Sequence, residues 1–322
     1  MKKTLIPALA LLPLPALADV PNVVTDIPAV HSLTAQVMGD LGSPAVLLEQ
    51  GGNAHNYQMK PSQAAALQNA DLVIWLGPEM TPWLERAIDG VSLKGAQLEL
   101  LDAPGTHLQD FDGHAHMHAP AEEAQDHEAH EEDHDEHGEA DHDDHDHVHE
   151  GLDPHAWLTP ENAETWLGVI AQELSAADPE HAAIYAANAA TAQEALRALD
   201  AQITAELAPV AQKPFVTFHA AYGYFASHYG LNVAGAVNLG DATAPGAAHL
   251  AELRDQFAAQ HIVCAFPEAQ HDPKQIDALL EGTSVKRGGT LDPSGSALPY
   301  GPELYAALMT GLADTLRDCL SE

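Results

Sequence analysis

Positive charge is what this sequence most conspicuously lacks. Its 322 residues hold 12 Lys and Arg against 48 Asp and Glu, a formal net charge of −36. So acidic a chain is repelled by phosphate backbones and by anionic lipid, which excludes both nucleic acid and anionic membrane as partners. Cysteine is scarce as well. Only Cys264 and Cys319 occur, neither with a neighbour at metal-ligand spacing, which argues against a thiolate zinc site. Long apolar runs are missing after the first 18 residues, so no later segment is expected to span a bilayer.

Those first 18 residues read as a secretory signal peptide. Lys2 and Lys3 form a charged start, residues 4–17 are almost wholly apolar, and Ala16-Leu17-Ala18 is a small-x-small cleavage site. No cysteine stands at the cleavage site, so a lipid anchor is not expected, and the mature protein is expected to be soluble in a periplasm. In an oxidising compartment two cysteines pair more often than they stay free. A bridge between Cys264 and Cys319 would restrict the unfolded chain by about 4 kcal/mol. Two separate buried thiols remain the alternative.

The length allows about two domains. From Val20 short apolar strands alternate with helical stretches: strands at 22–25, 45–48, 71–76 and 98–101, helices at about 29–40 and 61–69. A helix over 160–177 follows, then an alanine-rich one from the Asp178-Pro179 break to about residue 208. Alternation restarts with strands at 215–218, 233–237 and 262–266 and helices at roughly 220–229, 247–260, 273–281 and 302–320. Strand–helix repetition of this kind predicts parallel sheets covered by helices. The fold class is therefore α/β, with two parallel-sheet lobes. The expected division is a lobe over 19–178, a connecting helix over 179–208 and a second lobe over 209–322.

Residues 110–150 interrupt the first lobe. They hold 17 Asp and Glu and no Lys or Arg, with one aromatic, Phe111. Without apolar periodicity this run is expected to be disordered. It also carries eleven histidines: His114, His116, His118, His127, His130, His134, His137, His142, His145, His147 and His149. Acidity alone would fit a solvated insertion, but eleven imidazoles in 36 residues fit auxiliary, weaker metal binding better. Each such site must offset the cost of ordering the backbone.

Three histidines outside the run share a placement. His55 lies in the loop GGNAHNY after the second strand, His155 in DPHAWLTP ahead of a helix, and His219 directly after FVTF. Ligands of parallel sheets gather beyond the carboxyl ends of the strands, and zinc favours imidazole nitrogens. A lone loop histidine is more often a surface or hydrogen-bonded residue. His31, His107, His181, His228, His249, His261 and His271 are left with that reading.

The stretches LLEQGGNAHNYQMKPSQAAALQNADLVIWLGPEM, LDPHAWLTPENA, TFHAAYGYFASHYGL and GTLDPSG resemble the motifs of the ZnuA-type zinc-binding proteins. These are periplasmic solute-binding components of ABC transporters. The resemblance covers almost the whole mature chain. It implies two α/β lobes, one rigid connecting helix and one Zn2+ in the interlobe cleft, held by His55, His155 and His219. It also implies a disulfide between Cys264 and Cys319. The implied partners are an ABC permease in the inner membrane and, as a candidate loader, a periplasmic zinc chaperone. The protein would act as a monomer.

Related manganese-binding proteins carry Glu at the position matching His219, so a third imidazole favours zinc, although copper and nickel also suit imidazole. Some ZnuA-type proteins place Glu just before the first histidine, where this sequence has Ala54. Asp292 in TLDPSG matches a position where relatives place a carboxylate ligand; a water or a loop histidine are the alternatives for the fourth position. Three histidines with an open position also describe a catalytic zinc site, but no HExxH is present. The chain is expected not to be an enzyme. A periplasmic zinc buffer or metal-linked adhesin is the remaining alternative.

Overall fold

Proline opens each helix of the first half, at the first turn, where its missing N–H costs nothing. Helices α1 (Pro28–Met38), α2 (Pro61–Gln68) and α3 (Pro82–Gly90) alternate with β1 (Val23–Thr25), β2 (Ala45–Val46), β3 (Leu72–Trp75) and β4 (Ala96–Glu99). The computed structural model describes residues 20–111, 115–117, 151–238 and 247–321. The four strands form one all-parallel sheet in the order β2-β1-β3-β4. Alternate residues of β3 serve its two faces. Leu72 and Ile74 join the main core, while Val73 and Trp75 pack with Leu67 and Leu84 in a smaller cluster.

Two short strands follow, β5 (His107–Gln109) and β6 (Ala115–Met117), paired antiparallel. The long helices α4 (Pro160–Ala177) and α5 (Ala182–Leu207) then lie against each other. The buried residues of α5 are Tyr185, Ala189, Ala192, Leu196, Ile203 and Leu207, a single stripe at helical spacing. At 26 residues α5 extends for about 39 Å.

The second sheet is also all-parallel, in the order β10-β9-β7-β8. Its strands are β7 (Phe215–His219), β8 (Val233–Asn238), β9 (Cys264–Ala265) and β10 (Lys286–Arg287), with α6 (Gly223–Tyr229), α7 (Ala247–Ala259), α8 (Lys274–Leu280) and α9 (Leu304–Ser321) between and after them. Cys264 of β9 and Cys319 of α9 form a disulfide, with Cα atoms 6.4 Å apart.

Helix α9 packs back on α1 and α5. Ser32 Oγ donates to the carbonyl of Pro302 at 2.8 Å and accepts from the Tyr305 N–H at 3.0 Å. One hydrophobic cluster consequently runs from Val23 and Ile74 beneath the first sheet, through Trp166 and Tyr185, to Phe215 and Leu320 beneath the second. The two sheets thus share a core, and their relative placement does not depend on α5 alone.

Most expected elements are present, with shifted ends. The strand expected at 98–101 lies at Ala96–Glu99, and the one at 262–266 is only Cys264–Ala265. Helix α3 and strands β5, β6 and β10 were not expected. Strand β6 corrects the expectation of no regular structure from residue 110, because Ala115–Met117 pairs with His107–Gln109. The far side of the run returns beside it. Asp110 bridges Leu152, and the Phe111 N–H donates to the Gly151 carbonyl at 2.9 Å. The signal peptide and the histidines of the run lie outside the described residues, apart from the backbone of His116 in β6. Among the described residues no helix is long and apolar enough to cross a membrane.

Candidate metal centre

His55 is set by a turn and an anchor. Asn53 Oδ1 accepts the N–H groups of His55 and Asn56 at 2.9 and 3.3 Å, closing a side-chain turn. The carbonyl of the buried Ala54 accepts from Trp83 Nε1 at 2.7 Å, so α3 pins the loop from below. Across the cleft the Gly51 N–H donates to the Ser296 carbonyl at 3.0 Å.

His155 is buried, in the segment that leads into α4. Asp153 Oδ1 accepts its backbone N–H at 3.0 Å and lies 2.7 Å from its Nδ1. Trp157 Nε1 donates to the Pro293 carbonyl at 2.8 Å, and Tyr305 Oη donates to the Trp157 carbonyl at 2.8 Å. His219 is the last residue of β7. Glu268 takes its N–H on Oε1 at 3.2 Å and its Nδ1 on Oε2 at 2.5 Å, and Tyr222 Oη donates to Oε1 at 3.1 Å.

These bonds fix the tautomers. A carboxylate only accepts, so Asp153 and Glu268 each draw the ring proton to Nδ1 and leave Nε2 as a lone pair. The Nε2 atoms of His155 and His219 converge with that of His55. His155 Nε2 lies 3.2 Å from His55 Nε2 and 3.4 Å from His219 Nε2. In a tetrahedron with zinc–nitrogen bonds of about 2.0–2.1 Å, two ligand nitrogens stand roughly 3.3 Å apart. Both distances from His155 match that spacing. Burial first, then the electrostatic cost of adding a proton beside the His155, His219 and His271 imidazoles, holds the His55 imidazole well below the ordinary histidine range, which favours its neutral form. The three side chains line a cavity of about 20 Å³, room for one ion or one water.

A family model described as zinc-uptake complex component A, periplasmic, matches residues 23–319. The chain belongs to this family. It is 53% identical over 313 residues to the high-affinity zinc uptake system protein ZnuA of Paracoccus denitrificans, covering 97% of this chain and 96% of that one. Among solved structures it resembles a crystal structure of ZnuA with a TM-score of 0.72 at 22% identity, over 94% of this chain and 99% of that one. It also resembles Zn(II)-bound AdcA from Streptococcus pneumoniae, with a TM-score of 0.68 at 25% identity, over 94% of this chain. In that comparison it spans 58% of the longer AdcA chain.

Against the motifs of the ZnuA family, His55, His155 and His219 come together as a group whose ligand atoms lie within 4.8 Å of one another. Asp292 is not brought into that group. Its Oδ1 accepts the Ser296 N–H at 3.1 Å and its Oδ2 the Ala297 N–H at 2.8 Å. That turn presents Ser296 to Gly51.

Three residues of this site are not singled out by the sequence. Asp153 and Glu268 orient the His155 and His219 rings, and His271 lines the same cavity. Asp153 stands two residues before His155, a spacing that could have been read as ligand support. Glu268 and His271 directly follow the strand expected at 262–266, the location that singled out His219.

Proposed function

We propose that this chain captures Zn2+ with high affinity in the periplasm and delivers it to an ABC permease of the inner membrane for zinc import. The observation that carries this reading is the convergence of His55, His155 and His219, with His155 Nε2 at 3.2 and 3.4 Å from the other two Nε2 atoms. Membership of the zinc-uptake family and the name of the Paracoccus relative support the same cargo and partner. The three imidazoles are the proposed ligands, with the fourth position facing the small cavity. Asp292, whose oxygens accept the Ser296 and Ala297 N–H groups, would have to move towards the triangle to serve there. The neutral imidazoles do not offset the charge of the ion, but Asp153 and Glu268 behind them do so in part.

Binding without catalysis is the better reading of the chemistry. Both buried carboxylates beside the rings are held on Nδ1 atoms, which suits ligand orientation and not proton transfer to a substrate. The exported state rests on the N-terminal 18 residues, and the auxiliary role of the His-rich run rests on its eleven histidines. The lobes are taken as 19–178 and 209–322, joined over 179–208. The shared core beneath both sheets favours small closure on binding.

The test is zinc uptake into vesicles carrying the cognate permease. The mature protein should stimulate uptake and His219→Ala should not. No stimulation by a protein that binds zinc tightly would overturn the delivery role in favour of a periplasmic buffer.

A further inference from the structure

His219 belongs to two groups of ligand atoms. Besides the triangle with His55 and His155, it forms a second with Glu268 and His271, whose ligand atoms also lie within 4.8 Å of one another. In each group two residues are buried and one is part-exposed, His55 in the triangle and His271 in the second. The His271 side chain, 21% exposed, can be reached from solvent. His271 Nε2 is 3.8 Å from Glu268 Oε2, and its ring centroid is 5.8 Å from that of His219. Its ring stacks on Phe218, with centroids 4.3 Å apart and planes at 26°. The same cavity touches all four imidazoles. Even so, the described residues yield two groups of three and no group of four. His271 therefore faces the cavity without completing the tetrahedron.

We propose that His271 and Glu268 form an outer zinc position, sharing His219 with the inner site, through which the ion passes on its way in and out. The proposal rests on the reading of the triangle as a zinc site. A hydrated ion arriving from solvent gains the His271 imidazole and a Glu268 oxygen as it gives up waters. A carboxylate has about four lone-pair sites, so Glu268 can touch the ion while still accepting from His219. Zinc tolerates a fifth ligand in passing, so the ion can bind His219 Nε2 before it leaves His271. Release follows the same steps in reverse. An ion entering the triangle, two of whose members are buried, through a cavity of one ion's size would otherwise have to shed or regain its water in a single step.

Such a station changes rates more than equilibrium. Full-length mature protein would be loaded with one equivalent of Zn2+, so that the tightest site fills first. Zinc release to excess chelator and zinc capture would then be followed by stopped flow, alongside equilibrium competition. His271→Phe keeps the stack on Phe218 and removes the ligand; His271→Gln keeps polarity and serves as the second variant. Both should slow capture and release together by about tenfold while the equilibrium affinity stays within about threefold. Unchanged rates in two folded variants would overturn the proposal while leaving the inner site intact. Faster release with a matching loss of affinity would overturn it too, by making His271 a resident ligand. Wild-type protein that bound no zinc tightly would defeat the zinc reading itself, and this proposal with it.

Discussion

Glu268 Oε2 stands 2.5 Å from Nδ1 of His219, and both groups are buried. The pair decides which nitrogen of His219 is a lone pair, and so decides whether the triangle can exist. Glu268→Gln keeps the shape but can present an amide N–H to Nδ1, favouring the tautomer that points its proton into the cavity. Zinc affinity in a competitive titration should fall by about 10–100-fold, the usual cost of losing such a partner. Asp153→Asn should act alike through His155. Affinity unchanged in both variants would remove the orienting role.

The pH dependence has a definite sign. An imidazole binds metal only when deprotonated. Burial and neighbouring charge lower the His55 pKa, so it stays neutral to lower pH than an exposed histidine. Histidines of the run 114–149, if they titrate near the ordinary value, lose their zinc as pH falls towards ~6.5. In a titration with several equivalents of zinc, the weak fraction should therefore be released first and one tight equivalent last. Simultaneous release would contradict the division into a cleft site and an auxiliary run.

The Cys264–Cys319 disulfide ties the second sheet to the helix that packs on α1. Cys264→Ser with Cys319→Ser should lower unfolding stability by about 4 kcal/mol in urea, from the loop it closes. It should leave the midpoint of the zinc titration nearly unchanged, because neither cysteine lines the cavity. A large loss of affinity in the folded double variant would show that the bridge also shapes the site.

One core beneath both sheets limits how far the lobes can part. Small-angle scattering of the apo and zinc-loaded protein should give radii of gyration within about 1 Å, well short of a wide hinge closure. A larger compaction would mean that the shared packing of α1, α5 and α9 breaks on release.

The sequence carried the architecture where elements are long or are opened by proline. Helices α4 and α5 stand out by length and composition, and β3 by an unbroken apolar run. The two-residue strand β10 has no period to read, and Lys286 and Arg287 are exposed at the sheet edge. Helix α3 carries a legible start signal in Thr81-Pro82. The site was legible through the motifs around His55, His155 and His219, not through periodicity. Glu268 is 49 residues from His219, and only the parallel pairing of β7 with β9 brings them together. Asp292 lies in Asp-Pro-Ser-Gly, which is also a turn sequence, and its carboxylate accepts the Ser296 and Ala297 N–H groups of that turn.

The central claim is that three imidazoles, separate from the His-rich run, hold one zinc ion. The most direct test is a competitive zinc titration of the mature protein, a form lacking residues 114–149, and His219→Ala. The account predicts one tight site in the first two that vanishes in the third. Loss of the tight site with the run would contradict it, because a histidine from the run would then be completing the cleft.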